Sequence, residues 1–223
     1  MTVFGPSLKS VSLWTTFLIA SGKLKLDKFC PNCNKYRLNC SVLSENIAEY
    51  CRGCAIGHFN LIRVDLSRIT SNLSLKSFLR NWMTHPGFKA VVCIRIMNHF
   101  YAKKRYKISL MLRIRLISKF GVDIFPGCKI DSGLRLEHPV GIVIGRGVSI
   151  GKYATLMHGV TLGQNDLRST GTSVGPNIGD GVLIGAHACV FGSIRVPKDS
   201  FIPAKALVTE KNSSMIYRQR EHD

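Results

Sequence analysis

An aliphatic residue recurs every six positions through the last part of this chain, and that period decides what it can fold into. Ile124, Ile130 and Leu136 open the series, Ile144, Ile150, Leu156 and Leu162 continue it, and Ile178, Ile184, Val190, Val196, Ile202 and Val208 complete it. Four places after nearly every member stands a second small or apolar residue: Cys128, Leu134, Val140, Val148, Ala154, Val160, Val182, Ala188, Ile194 and Ala206, with Ser200 the polar exception. A helix repeats near 3.6 and a strand at 2, so neither produces a strict six. Hexapeptide repeats build a parallel β-helix, in which each unit supplies a short strand and a turn and stacked coils bury one aliphatic column per face. Gly or Pro directly after column residues, as in Ile150-Gly151 and Ile202-Pro203, supplies the corners.

The count breaks twice. From Leu136 to Ile144 the step is eight residues, and from Leu162 to Ile178 it is sixteen, with Gly163 to Asn177 forming a polar, glycine-rich excursion. Breaks in a repeat map to loops on one face, often the binding face.

Four segments carry a resemblance to a known family: Val122-Asp123-Ile124-Phe125-Pro126-Gly127, Glu137-His138-Pro139-Val140-Gly141-Ile142-Val143-Ile144-Gly145, Gly159-Val160-Thr161-Leu162-Gly163, and Ile178 through Ala186. Together they resemble the serine acetyltransferase branch of the hexapeptide-repeat acyltransferases, and His85-Pro86-Gly87-Phe88 extends the likeness upstream. The resemblance implies a left-handed parallel β-helix that assembles as a homotrimer and binds acetyl-CoA between subunits. It implies His138 and Asp123 as the catalytic pair, and Gly163, Gly185 and Ala186 on the acetyl-CoA side.

Chemistry supports that pair separately. Acetyl transfer from a thioester to a hydroxyl needs a base that takes the hydroxyl proton, and histidine, with an ordinary pKa of ~6.5, suits neutral pH. A carboxylate on its other ring nitrogen would fix the tautomer. Asp123 precedes His138 by fifteen residues, just under one eighteen-residue coil, so the two can approach across coils. His158 holds the same hexapeptide place as His138 and should lie beneath it at the ~4.8 Å strand spacing, either as a stacking turn residue or as an acceptor-binding one. His187 reads as a turn residue.

The departures from that branch concern the acceptor. Where those enzymes end the long excursion with an Arg-His-Pro-Lys-Ile type sequence, this chain reads Val174-Gly175-Pro176-Asn177-Ile178, and Glu137 replaces the aspartate before the histidine. His158 before Gly159-Val160-Thr161 is similar to relatives that acetylate bacterial surface polysaccharides. The sequence therefore leads us to expect an acetyl-CoA-dependent O-acetyltransferase acting on a saccharide hydroxyl, lipid-linked or polymeric, with Glu137, His158, Asn165, Asp166 and Arg168 around the acceptor. Serine O-acetylation is the alternative, and a non-catalytic scaffold is an alternative of another class.

The remaining chain is organised differently. Cys30-Pro-Asn-Cys33 and Cys51-Arg-Gly-Cys54 lie seventeen residues apart, a spacing that suits a structural zinc held by Cys30, Cys33, Cys51 and Cys54, with unligated thiols as the competing reading. We divide the chain into a cysteine-rich unit over 1–72, a basic helical segment over 73–120, the β-helix over 121–210 and a tail over 211–223. In the helical segment Phe88, Val91, Val92, Ile96 and Phe100 form one stripe and Ile108, Met111, Leu112, Ile114, Leu116 and Ile117 a broader one. No acidic residue stands between Asp65 and Asp123, and this imbalance contributes much of the net charge of +18. Such a segment suits a peripheral membrane surface, an anionic substrate or a solvated face; no recognition motif supports nucleic acid. With 45% hydrophobic and 20% charged residues the chain is not of disordered type. No run reaches the ~20 apolar residues of a membrane span, and Ser10 to Gly22 reads as a buried element, not a signal peptide. Acetyl-CoA chemistry points to the cytoplasm, with peripheral placement at the inner membrane as an option.

Overall fold

The structure, a computed structural model, describes residues 55–164, 175–212 and 218–219. The chain divides into two units, residues 1–60 and 61–223. The cysteines expected to hold zinc, Cys30, Cys33, Cys51 and Cys54, lie outside the described residues. Among the described residues no group of three or more His, Cys, Asp or Glu is placed to hold a metal ion.

Among the described residues four helices precede the repeat: α1 (Ala55–Ser67), α2 (Leu75–Thr84), α3 (Pro86–Ala102) and α4 (Tyr106–Phe120). Ser74 caps α2 by accepting from the Ser77 N–H, and Pro86 at the first position of α3 fits where no N–H partner is needed. Gly121 ends α4 in the left-handed conformation (φ 62°) and turns the chain into the first strand.

Among the described residues the period of six becomes thirteen short strands, from β1 (Val122–Ile124) to β13 (Leu207–Val208), and a further strand, β14 (Arg218–Gln219), returns antiparallel against β12 (Ser200–Ile202). Every third strand stacks in parallel, giving one column of β1, β4 (Ile142–Ile144), β7 (Thr161–Gly163), β10 (Cys189–Phe191) and β13, a second of β2 (Lys129–Ile130), β5 (Ser149–Ile150), β8 (Asn177–Ile178) and β11 (Arg195–Val196), and a third of β3 (Arg135–Leu136), β6 (Thr155–Leu156), β9 (Leu183–Ile184) and β12. Three columns around one axis are the left-handed parallel β-helix. The register carries both breaks in the count. Val143 pairs with Thr161 eighteen residues on, whereas Val122 pairs with Ile142 after twenty and Thr161 with Cys189 after twenty-eight. Pairing therefore resumes in phase after two extra residues in one coil and ten in another.

All thirteen residues of the first aliphatic series are buried, and with the buried members of the second series they form one continuous core. Burying each such side chain contributes about 1.5–3 kcal/mol. Ser200 is tolerated inside because its hydroxyl donates to the Pro197 carbonyl at 2.8 Å. Val140 departs from the second series: the two-residue insertion turns it outward, 65% exposed, while Pro139 fills the inner position.

The helices close one end of the prism. Gly87 brings α3 against β3 (Arg135–Leu136), since a Cβ there would strike the Leu136 carbonyl oxygen. The face of α3 that packs is Phe88, Val91, Val92, Ile94 and Met97, so Ile94 and Met97 take the places the stripe had given to Ile96 and Phe100. The second stripe is corrected further. Leu116 is buried, but Ile108, Met111, Ile114 and Ile117 of α4 are exposed. Arg95, counted with the basic surface, is fully buried: its guanidinium donates to both oxygens of Asp65 (2.9 and 3.0 Å) and to the carbonyls of Ile130 (2.6 Å) and Asp131 (2.5 Å). Asp65 also accepts from the Leu134 N–H at 2.9 Å, so one buried ion pair ties α1 and α3 to the first coil.

Candidate active site

Three corners of the prism stack a row of histidines. His138 follows β3, His158 follows β6 (Thr155–Leu156) and His187 follows β9 (Leu183–Ile184), and these strands are neighbours in one column. Backbone hydrogen bonds close the corners on one another: the Gly159 N–H donates to the Val140 carbonyl and the His187 N–H to the His158 carbonyl, both at 2.9 Å. The ring centroids of His138 and His158 lie 6.0 Å apart at 67°, and those of His158 and His187 4.9 Å apart at 89°. His138 and His187, the two ends of the row, are exposed, and His158 between them is half-buried, with an Nδ1 that is enclosed and has no hydrogen-bond partner.

His187 extends the row although sequence reasoning gave it only a turn. It does occupy a turn, in the left-handed region at φ 58°, and its ring fits because Gly159 has no side chain: a Cβ on Gly159 would strike the His187 ring. The spacing alone does not find it: Leu156 pairs with Ile184, so the register sets Ala186 level with His158 and leaves His187 one place beyond.

Asp123 stands in the middle of β1 with its side chain outward and half-buried. Arg113 of α4 holds it by two hydrogen bonds, Nε to Oδ1 at 2.6 Å and Nη2 to Oδ2 at 3.1 Å, and this carboxylate raises the basicity of the guanidinium. No hydrogen bond joins Asp123 to His138 among the described residues. The same guanidinium lies 5.7 Å from the centre of the Phe125 ring, and that of Arg146 4.5 Å from it. Arg113 is a site neighbour that sequence reasoning had placed only in the basic helix.

The other residues named from sequence are distributed as follows. Glu137, half-buried beside His138, forms an ion pair with Arg135 at 2.5 Å. Gly163 is half-buried at the end of β7, Ala186 is half-buried, and Gly185 is buried where a Cβ would come within 2.5 Å of the Ala204 nitrogen in the next coil. Asn165, Asp166 and Arg168 lie outside the described residues. An exposed imidazole at a corner can accept and return one proton, which is the requirement for moving an acyl group between two nucleophiles.

No protein-family model matches the chain. Among curated proteins it is 38% identical over 120 residues to serine acetyltransferase 1, chloroplastic, of Arabidopsis thaliana, covering 54% of this chain and 38% of that protein. It is 37% identical over 134 residues to the serine acetyltransferase of Buchnera aphidicola, covering 60% of this chain and 51% of that protein. The chain thus spans about half or less of the length of these two relatives. Among solved structures, the serine acetyltransferase of Neisseria gonorrhoeae superposes with a TM-score of 0.60 at 31% identity, covering 71% of this chain and 61% of that one.

These likenesses support the hexapeptide-repeat acyltransferases as the family of the repeat region. They overturn the expectation of a saccharide acceptor and of polysaccharide biosynthesis, because the relatives are named serine acetyltransferases. Two observations had led there. Val174 and Gly175 replace the arginine and histidine of the serine branch, but the step from Leu162 to Ile178 still carries one cation, Arg168. His158 suggested the polysaccharide relatives, whereas its place in the row gives it a reason independent of any sugar.

Proposed function

We propose that this chain is an O-acetyltransferase that moves the acetyl group of acetyl-CoA to the hydroxyl of serine, with His138 as general base. The observation that carries the reading is His138 itself, exposed at the corner between β3 and β4 (Ile142–Ile144), backed by the His158 ring, and set in a repeat region similar to serine acetyltransferases. In the reaction a nitrogen of His138 takes the hydroxyl proton as the serine oxygen attacks the thioester carbon. A C–O bond forms, the C–S bond breaks as the tetrahedral adduct collapses, and the imidazolium returns its proton to the departing CoA thiolate.

Asp123 is the group proposed to hold the imidazole in the productive tautomer. Each of its oxygens carries a second lone pair beyond the one Arg113 occupies, so a bidentate arginine leaves capacity for a histidine N–H. Serine also brings a carboxylate, and burying it without a cationic partner would cost several kcal/mol. Arg168, in the long step between Leu162 and Ile178, is proposed for that partner, with Glu137 near the ammonium group.

The assembly proposed is a homotrimer. Val143, Thr161, Cys189 and Leu207 form one outward row along a strand column, in which Val143 and Leu207 are 40% and 53% exposed, a weakly polar face that a neighbouring prism would cover. The decisive experiment incubates the purified full chain with acetyl-CoA and serine, and follows thiol release together with O-acetylserine by mass spectrometry. Formation of O-acetylserine that disappears in His138→Ala supports the reading, and thiol release no faster than without enzyme overturns it.

A further inference from the structure

We propose that helix α4 is a docking surface for an anionic lipid bilayer. The helix packs inward through Ser109, Leu112, Arg113, Leu116 and Phe120, spaced at three and four residues as one helical face requires. The opposite side is apolar as well. Tyr106, Leu110, Met111, Ile114 and Ile117 are 56%, 51%, 69%, 57% and 43% exposed, and at 100° per residue all five fall within an arc of roughly 140°. Single exposed apolar residues are ordinary, but five on one stripe of one helix form a patch of the kind that marks an interaction site.

Charge decides what covers the stripe. Lys107 lies within it and Arg115 and Lys119 flank it, all exposed, and Lys103, Lys104 and Arg105 crowd the turn before the helix. From residue 66 to residue 122 the chain contains no Asp or Glu. A second copy would have to meet this rim with carboxylates, and it brings only 13 Asp and Glu against 31 Lys and Arg, two of them, Asp123 and Glu137, already paired with Arg113 and Arg135. A bilayer of anionic lipid answers both halves of the surface, taking the apolar side chains to the depth of the acyl boundary while the lysines and arginines meet phosphates. At fifteen residues α4 is too short to cross a membrane, and among the described residues no helix is long and apolar enough to do so. The helix therefore lies along the surface. This inference does not depend on the acetyl acceptor.

The test is flotation of the purified full chain with vesicles of phosphatidylcholine alone and of phosphatidylcholine with phosphatidylglycerol in equal parts. Binding is expected only to the anionic vesicles and should be lost in high salt. Ile114→Glu, at a position more than half exposed, should abolish it, and Lys107→Ala and Arg115→Ala should each weaken partitioning about fivefold. Circular dichroism and acetyl-CoA turnover, unchanged in the variants, separate lost docking from lost folding. Equal binding to both vesicle types, equal binding by wild type and all three variants, or no binding at all overturns the proposal. So does a fall in oligomeric state on Ile114→Glu without any lipid binding, which would make the stripe a contact between copies of this chain.

Discussion

Arg113 grips Asp123 with both of its carboxylate oxygens engaged, 2.6 Å from Nε to Oδ1 and 3.1 Å from Nη2 to Oδ2, so the last helix before the prism is fastened to the centre of its first strand. The carboxylate assigned to orient the base is thus already anchored from the other side. Arg113→Ala should release that anchor while the partly exposed pair costs the fold no more than about 1 kcal/mol. The expected result is a drop in kcat with little change in Tm, and Asp123→Asn should show the same pattern. If kcat in both variants equals that of wild type, Asp123 has no part in positioning His138.

His138→Ala should lower acetyl transfer by about 10²–10⁴, the usual contribution of a general base. Because the residue is exposed at its corner, the melting temperature should hardly move. The loss should exceed that of Asp123→Asn, since the base takes the proton and the carboxylate only orients it. Steady-state kinetics with acetyl-CoA and serine provide the comparison, and near-wild-type kcat in His138→Ala would remove the assignment.

Arg95 and Asp65 are both 1% exposed and paired. Arg95→Ala leaves the Asp65 carboxylate buried without its partner and strips donors from the Ile130 and Asp131 carbonyls, so a loss of about 3–5 kcal/mol is expected by denaturant unfolding. The double change Arg95→Met with Asp65→Leu removes both charges together and should be less harmful than Arg95→Ala alone. A double variant that is the less stable of the two would contradict this account.

Cys128 sits in the core with its thiol pushed up to about 11 by burial. The thiolate is the nucleophile, so near pH 8 only about a thousandth of it is reactive even when reached. Treating the native protein with iodoacetamide and mapping the peptides should leave Cys128 unmodified, and unfolding should expose it. Rapid labelling of Cys128 in the native state would show that the first coil opens far more readily than its packing implies.

The prism was legible in the sequence because one geometric rule, six residues per face, ties every aliphatic position to the interior, and all thirteen are buried there. Val140 escaped the rule because two inserted residues turn its corner outward. The helices were less legible for a physical reason. Residues 88–97 are apolar nearly all round α3, so its own period does not choose which side packs; the approach of Gly87 to β3 does, and it selects Ile94 and Met97. Arg95 was read as surface because its partner lies thirty residues earlier, a distance no local pattern spans. In the site, His138 and His158 followed from equal places in hexapeptides one coil apart, while His187 and Arg113 depend on loop length and helix packing.

The in-phase resumption after both insertions has a consequence for how such a chain can change length. Eighteen residues behave as a reading frame: any whole coil could be duplicated or excised, and every remaining side chain would still face inward or outward as before. Length added at a corner is out of frame with nothing, because it never enters a column. Chemistry confined to corners can therefore be rewritten one loop at a time, while the stack beneath keeps its own grammar.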